Sequence, residues 1–312
     1  MKKLLIILPC YNEEEVLPTT IKTISNLLNK MIKDKLISPD SRAHFVNDGS
    51  LDNTWEILKQ ACLSNPLLEA SSLSRNFGHQ SAILAGMYDN DADIYVTIDA
   101  DLQDNPDCII EMVQIINSGC DIVYGVRKKR DSDSWFKRVT AQGFYKLLSF
   151  LGVKIIYNHA DFRMMTKRAV EKLKQFPERN LFLRAVVPLV GFKSKIVYYD
   201  RTPRMAGETK YPLKKMLAFA WNGISSFSIV PLRLVTFTGF LISLLGAAFV
   251  FKILLNYNAH GTVSGWASTV TLITVFSGVQ LVSLGIIGEY IAKIFVEVKR
   301  RPLYIIDEKI HH

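Results

Sequence analysis

Four carboxylates fall within nine residues of the stretch YVTIDADLQDNPD: Asp99, Asp101, Asp104 and Asp107. Like charges that close repel one another, so the cluster calls for a compensating positive group. The chain has no Gly-rich phosphate loop of the G-x-x-x-x-G-K or G-x-G-x-x-G kind. The phosphates of a bound nucleotide would then be neutralised in another way, and a divalent cation between Asp99 and Asp101 meets that need. Alternate residues at a frayed strand end can both turn towards one ion. Hard carboxylate oxygens select Mg²⁺ or Mn²⁺, which keep positions open for diphosphate oxygens. Asp-x-Asp alone is a weak signal, since most occurrences are solvated loop. Its place at the end of a hydrophobic strand, opposite an acid (Asp48) at another strand end, strengthens it.

Those acids need a scaffold. LLIIL (Leu4 to Leu8), HFVND (His44 to Asp48), EASSLS (Glu69 to Ser74), IYVTID (Ile94 to Asp99) and DIVYGV (Asp121 to Val126) read as strands. Helices are expected from Glu14 to Lys33, through DNTWEILKQAC from an Asp52 or Asn53 cap, near Gln80 to Met87, and after Pro106. The alternation predicts an α/β fold, a Rossmann-like, mostly parallel sheet with helices on both faces. In such sheets ligands bind outside the carboxyl ends of the strands. Polar residues collect just past those ends: Pro9 to Glu13, Asp48 to Ser50, Arg75 and Asn76, Asp99 to Asp101, and Arg127. Each cluster alone is ordinary turn chemistry. Five at one edge of one sheet mark a site.

The second half is less regular. GFYKLLSFLG reads as an amphipathic helix, ADFRMMTKRAVEKL as a short strand running into a helix, and KIVYYDR as a strand. Pro212 to Ser228 puts Leu213, Met216, Leu217, Ala220, Ile224 and Phe227 on one helical face, offset from Lys214 and Lys215. That pattern suits a helix in a membrane interface and equally one packed on the globular domain. Two apolar runs follow: Val235 to Leu255, with one charge at Lys252, and Trp266 to Gly288, with none. Each has about the 20 residues that cross a hydrocarbon core. Buried core helices rarely run so long without charge. Lys214, Lys215 and Arg233 flank the first run, and Lys293, Lys299, Arg300 and Arg301 follow the second. Asn256 to Gly265 between them has no Lys or Arg, so both termini are expected in the cytosol. The apolar run of MKKLLIILPCYNEEE is too short for a signal peptide and reads as a buried strand. The expected plan is a cytosolic domain over 1–211, an interfacial helix over 212–230, two transmembrane helices within 231–298 (233–256 and 266–290), and a basic cytosolic tail over 299–312.

The net charge of +9 fits an anionic membrane surface and anionic substrates. No stripe of basic and aromatic residues appears, which argues against nucleic acid. The four cysteines are scattered without metal-ligand spacing and read as reduced core thiols.

ILPCYNEEE, VNDGSLDNT, SRNFGHQSAILAGM and DADLQDNPD, in this order and spacing, resemble the GT-A domain of family 2 glycosyltransferases. ADFRMM, PERNLFLRAVVPLVGF and RMAGETKYPLKKM, with the two C-terminal runs, extend the likeness to polyprenyl-phosphate glycosyltransferases similar to dolichyl-phosphate mannose synthase. The bactoprenol glucosyltransferase branch is the nearest match, and the likeness covers nearly the whole chain. The resemblance implies a nucleoside pocket lined by Pro9, Tyr11, Glu13 and Asp48. It places Asp99 and Asp101 on a Mg²⁺ or Mn²⁺ ion at the donor diphosphate, with Gln103 beside them. It assigns Arg127 to acceptor phosphate or donor, and Asp161 and Arg163 to the acceptor-site motif, where Ala160 stands in place of the usual Gly. Arg201, Arg204 and Lys210 would cover the site near the membrane, Arg201 towards acceptor phosphate and Arg204 and Lys210 towards the nucleotide-sugar. The implied reaction is inverting transfer of a hexose from a nucleotide-sugar, UDP-glucose first and UDP-N-acetylglucosamine or GDP-mannose next, to polyprenyl phosphate at the cell membrane. Asp161 is either a base or a positioner of Arg. Self-association stays open. A processive polysaccharide synthase would need more spans and a Q-x-x-R-W motif, both absent. A non-catalytic nucleotide-sugar-binding anchor would not need Asp99, Asp101, Asp161 and the arginines together.

Overall fold

The computed structural model describes residues 1–128, 159–179, 182–200, 230–260 and 265–311. Eight strands form one sheet: β1 (Leu4–Cys10), β2 (Arg42–Asn47), β3 (Leu68–Leu73), β4 (Ile94–Thr97), β5 (Ile122–Arg127), β6 (His159–Thr166), β7 (Ser194–Tyr199) and β8 (Ile306–Ile310). Their order is β7-β5-β6-β4-β1-β2-β3-β8. Six strands run one way, and β6 and β8 run against their neighbours.

Every residue of β1 is buried, as expected of a central strand covered on both faces. Its side chains alternate between the faces. Leu4, Ile6, Leu8 and Cys10 join a core with Leu17, Ile24 and Leu28 of α1 (Leu17–Lys33), Leu58 and Cys62 of α2 (Thr54–Ser64), and Ile109, Met112 and Val113 of α4 (Cys108–Asn117). Ile7 meets α3 (His79–Tyr88) on the opposite face. A Cβ at Gly86 would lie 2.5 Å from Ile7 Cγ2, so only glycine lets α3 approach this closely. All four cysteines are free thiols, and three of them are buried.

Two differences from the sequence reading concern the sheet. The strand at ADFRMM is central: β6 inserts antiparallel between β4 and β5, so those consecutive strands are not neighbours. The C-terminal residues, read as a tail, supply β8, which pairs antiparallel with the β3 edge. Glu308 of β8 accepts from Trp55 Nε1 at 3.1 Å and pairs with Lys59 Nζ at 3.1 Å.

After β6 come α5 (Lys167–Leu173) and α6 (Leu183–Leu189). A second unit holds two long helices, α7 (Val230–His260) and α8 (Trp266–Lys299). Within α8, Val275–Lys299 is long and apolar enough to cross a membrane, and its apolar window is unburied. It is the single such stretch among the described residues, where the sequence had suggested two. The helices read at GFYKLLSFLG and Pro212 to Ser228 lie outside the described residues, as do Arg201, Arg204 and Lys210.

Candidate active site

The loops at the carboxyl ends of β1 and β2 are fastened to each other. Asn12, with a left-handed φ of 53°, accepts the Leu51 N–H on Oδ1 at 2.8 Å and donates its own N–H to Ser50 Oγ at 3.0 Å. The Glu13 N–H donates to Thr54 Oγ1 at 2.9 Å. Glu14 Oε2 accepts from the Asn53 N–H and side-chain amide. Asp48, 2% exposed, fastens the third loop, accepting from the Phe77 N–H at 2.7 Å and the Gly78 N–H at 2.9 Å. Burial raises the Asp48 carboxyl, and those two donors offset part of the rise. Gly49 has φ +65°, and the Arg75–Asn76 backbone passes within 2.4 Å of where a Cβ would stand. The fourth loop is held by Thr20 Oγ1 donating to the Ala100 carbonyl at 2.7 Å. The Gln103 N–H closes a turn onto Asp101 Oδ1 at 3.1 Å.

These loops enclose a cleft of about 290 Å³ lined by Pro9, Cys10, Tyr11, Glu13, Asp48, Asn76, Gly78, His79 and Asp99 to Asp101. The Cys10 thiol is pushed far up, first by burial and then by Glu13 and Asp52, so it stays protonated. The Asp99 carboxyl is pushed up to about 6 by burial, against a counter-pull from His79 and with help from Asp161, Asp104 and Asp101.

Behind Asp99 lies a cluster built on Asp161. Arg163 Nη2 donates to Asp161 Oδ1, and Arg184 Nη2 reaches Asp161 Oδ2 at 3.0 Å. His79 Nε2 stands 3.8 Å from the same Oδ2 and 3.4 Å from Asp99 Oδ1. Thr97 Oγ1 donates to the Asp161 carbonyl. Burial alone would raise the Asp161 carboxyl. The Arg184 and Arg163 guanidiniums, with His79, outweigh it and hold the group well below the usual carboxylate range. A carboxylate held so low is a weak proton acceptor.

A third group ties the acid loop to two other strand ends. Asp104 is fully buried, and its Oδ1 accepts from Tyr199 OH at 2.6 Å and Arg127 Nη2 at 3.2 Å. Arg127 Nε also reaches Tyr199 OH at 3.3 Å. Tyr199 packs edge-on against Phe162, with ring centroids 5.5 Å apart. Among the described residues, no three His, Cys, Asp or Glu side chains converge as a ready metal site.

The family model of Glycosyl transferase family 2 matches residues 5–174. The chain belongs to this family. It is similar to an uncharacterized glycosyltransferase, YkoT, of Bacillus subtilis (strain 168), with 49% identity over 99% of this chain and 92% of that one. The prophage bactoprenol glucosyl transferase homolog of Escherichia coli (strain K12) shares 37% identity over 97% of this chain and 98% of its own. The bactoprenol glucosyl transferase of Shigella phage SfII shares 37% identity over 97% of both chains.

The protein is thus a glycosyltransferase. Of the site residues read from its sequence, Pro9, Tyr11, Glu13, Asp48, Asp99 and Asp101 line one cleft, and Gln103 is buried next to Asp104. Asp161 and Arg163 sit together in the cluster behind Asp99, and Arg127 stands on Asp104. Arg163, expected at the acceptor phosphate, is completely buried and faces Asp161 instead, because β6 runs through the middle of the sheet. The sequence reading missed His79, Asp104, Arg184 and Tyr199 as members of these clusters. His79 and Arg184 stood inside the stretches SRNFGHQSAILAGM and PERNLFLRAVVPLVGF, and Asp104 in the acid cluster itself.

Proposed function

We propose that this glycosyltransferase transfers a hexose, with inversion, from a nucleotide diphospho-sugar, UDP-glucose first, to undecaprenyl phosphate or a related polyprenyl phosphate. The product is a polyprenyl-phosphate sugar for cell-envelope glycan modification. The observation that carries this reading is the juxtaposition of carboxylates and basic side chains at one sheet edge. Asp99 and Asp101 line the cleft, and the cluster of His79, Arg163 and Arg184 adjoins them. The likeness to proteins named bactoprenol glucosyl transferase supports the acceptor class.

Asp99 and Asp101 suit Mg²⁺ or Mn²⁺. Their donors are hard oxygens, and both line the same cleft. When bound, the ion would neutralise the diphosphate of the leaving nucleotide. Pro9, Tyr11, Glu13 and Asp48 hold the nucleoside between the first three loops. The acceptor phosphate has a second pKa of about 6, so it arrives as an anionic nucleophile. It needs orientation and charge neutralisation more than a base. Asp161, paired to Arg163 and Arg184, therefore acts as a positioner. An oxygen of the acceptor phosphate bonds to the anomeric carbon from the face opposite the breaking bond, and the nucleoside diphosphate leaves. Arg127 serves the acceptor or donor phosphates from the strand end beyond Asp104, with Arg201, Arg204 and Lys210 on the segment that follows β7. Helices α7 and α8 form a membrane hairpin with both termini cytosolic, which keeps the enzyme where its lipid acceptor is.

The test incubates purified full-length protein with undecaprenyl phosphate, Mg²⁺ or Mn²⁺, and radiolabelled UDP-glucose, UDP-N-acetylglucosamine or GDP-mannose. Label should enter lipid from UDP-glucose, and Asp101→Asn or chelator should abolish it. Transfer from another of the donors would correct the sugar. Metal-dependent nucleotide binding without lipid labelling from any of them would remove the acceptor.

A further inference from the structure

We propose that β8 is a positioning element for the donor cleft: the C-terminal segment 304–310 fixes the loop after β3, which forms one wall of that cleft. This rests on the reading above that the cleft holds the donor nucleotide.

The pairing of β3 shows why the loop depends on β8. Its register with β2 ends at Asn47 opposite Ser72. Its register with β8 goes on to Leu73 opposite Ile306, after an irregularity between Ser72 and Leu73. The Ser74 N–H then donates to the Ile305 carbonyl at 3.0 Å. The last residues before the loop therefore take their strand partners from β8. Beyond them the Arg75–Asn76 backbone turns past Gly49, and the Phe77 and Gly78 N–H groups reach Asp48. Asn76, Gly78 and His79 line the cleft. The loop is thus held at two ends, by β8 through Ser74 and by Asp48 through Phe77 and Gly78. Ser74, Arg75 and Asn76 are exposed, so packing adds little restraint between those ends.

The same segment meets the two helices that start at the cleft. Glu308 accepts from Trp55 Nε1 and pairs with Lys59, both on α2. At the start of α2, Thr54 Oγ1 accepts the Glu13 N–H. Lys309 Nζ donates to the Asp89 carbonyl at 2.8 Å, just past the end of α3, and the Tyr304 hydroxyl bonds the Asp89 carboxylate. The other end of α3 carries His79. Exposed ion pairs contribute little energy one by one. What they set here is the place of β8, from which the backbone ladder reaches the donor loop.

The two ends of β8 separate this role from plain stability. Ile306 lies opposite Leu73, beside the loop, and Ile310 lies opposite Ala70, at the far end, packed against the core. Ile306→Gly and Ile310→Gly loosen the same strand by the same chemistry. Full-length protein in detergent is followed by thermal unfolding, by amide hydrogen exchange and by Mg²⁺-dependent binding of UDP, or of GDP if the transfer assay corrects the donor. Both variants should lower the midpoint. Ile306→Gly should also weaken nucleotide binding by about fivefold or more, raise donor KM in step with polyprenyl phosphate KM unchanged, and speed exchange at Phe77 and Gly78. Ile310→Gly should keep nucleotide binding within about twofold of wild type and leave that exchange unchanged. Equal nucleotide binding and equal Phe77 and Gly78 exchange in the two variants overturn the proposal, as does a loss of binding that follows the midpoint rather than the end of the strand that was changed. Should Ile306→Gly not fold, Ile306→Ala and Ile310→Ala give the same comparison. Exchange needs no nucleotide. Faster exchange at Phe77 and Gly78 in Ile306→Gly alone, in a protein that binds neither UDP nor GDP, would remove the functional reading and leave the fixing of the loop by β8 in place.

Discussion

Gly49→Ala should cost this enzyme both stability and its nucleotide site. Gly49 sits at φ +65°, where an L side chain costs about 1–2 kcal/mol. The new Cβ would also lie 2.4 Å from Arg75 C and 2.5 Å from Asn76 N, which are backbone atoms that cannot swing aside. The loop must retreat by about an ångström to reach ordinary contact distance. Phe77 and Gly78 are on that loop, and their N–H groups reach Asp48 at 2.7 and 2.9 Å. Weakening two hydrogen bonds to a charged group adds about 2–3 kcal/mol, for a total near 3–5 kcal/mol. Gly119 is the control: its φ is +89°, and nothing lies within 4 Å of its Cβ position. Gly119→Ala should therefore show only the backbone term. In thermal unfolding of detergent-purified protein, each kcal/mol lowers the midpoint by about 2–4 °C for a domain of this size. Gly49→Ala should fall by about 10 °C and bind UDP weakly, while Gly119→Ala falls by a few degrees and binds UDP normally. Equal midpoints and equal UDP binding in the two variants would refute the claim that close loop approach builds the nucleoside wall.

Three further outcomes are expected. His44 is 1% exposed, shares a hydrogen bond with Ser71 Oγ at 3.0 Å, and has its pKa lowered by burial despite Glu69 nearby. The unfolded chain therefore takes up this proton first, so stability should fall as pH drops below about 6.5, with a slope of up to about 1.4 kcal/mol per pH unit. His44→Gln should flatten that part of the profile, and parallel wild-type and variant profiles would contradict the assignment. Tyr199→Phe keeps the packing on Phe162 but takes a donor from the fully buried Asp104, so acceptor kcat/KM should drop about tenfold and the thermal midpoint should fall by several degrees. An unchanged kcat/KM would mean Arg127 does not depend on this anchor. Deleting residues 306–312 removes β8 and bares the β3 edge, so size-exclusion chromatography should show aggregation and the midpoint should fall. A monodisperse truncated protein with the wild-type midpoint would show that β8 is dispensable.

Much of the sheet was legible because β1 to β5 carry local signals: apolar runs of strand length, each closed by turn residues and followed by a helical period. Tyr11, Asp48 and Asp99 converge because parallel strands deliver all their carboxyl ends to one edge. The place of β6 was not legible. ADFRMM reads as a strand, but nothing local states that it runs backwards between β4 and β5, since that pairing is decided by contacts far apart in sequence. The same long-range placement buries Arg163 and turns a residue expected at the acceptor into a partner of Asp161. IDEKI sets three consecutive charges between two isoleucines, so that short stretch after a basic run reads as tail until the open β3 edge is known. His79 and Arg184 lie far apart in the chain, and the fold brings both to one carboxylate, with Gln80 bonded to the Leu183 N–H beside them.

The four crowded acids at the end of β4 do not share one role, and their different surroundings decide how much positive charge the site lacks. Asp104 is already matched, buried against Arg127 and Tyr199. Asp107 stands exposed at the start of α4, where the helix dipole favours a carboxylate. Asp99 and Asp101 are left at the cleft. His79 reaches Asp99 only at 3.4 Å, and the nearby guanidiniums are committed to Asp161. Two hard carboxylates on one wall of the cleft are the donor set that a divalent cation would take. The pairs of Asp161 with Arg163 and Arg184 adjoin the cleft through His79, whose Nε2 stands 3.8 Å from Asp161 Oδ2. Carboxylates on one wall and guanidiniums paired to Asp161 on the next give the cleft two unlike neighbours, the arrangement that the proposed transfer between two phosphates would use.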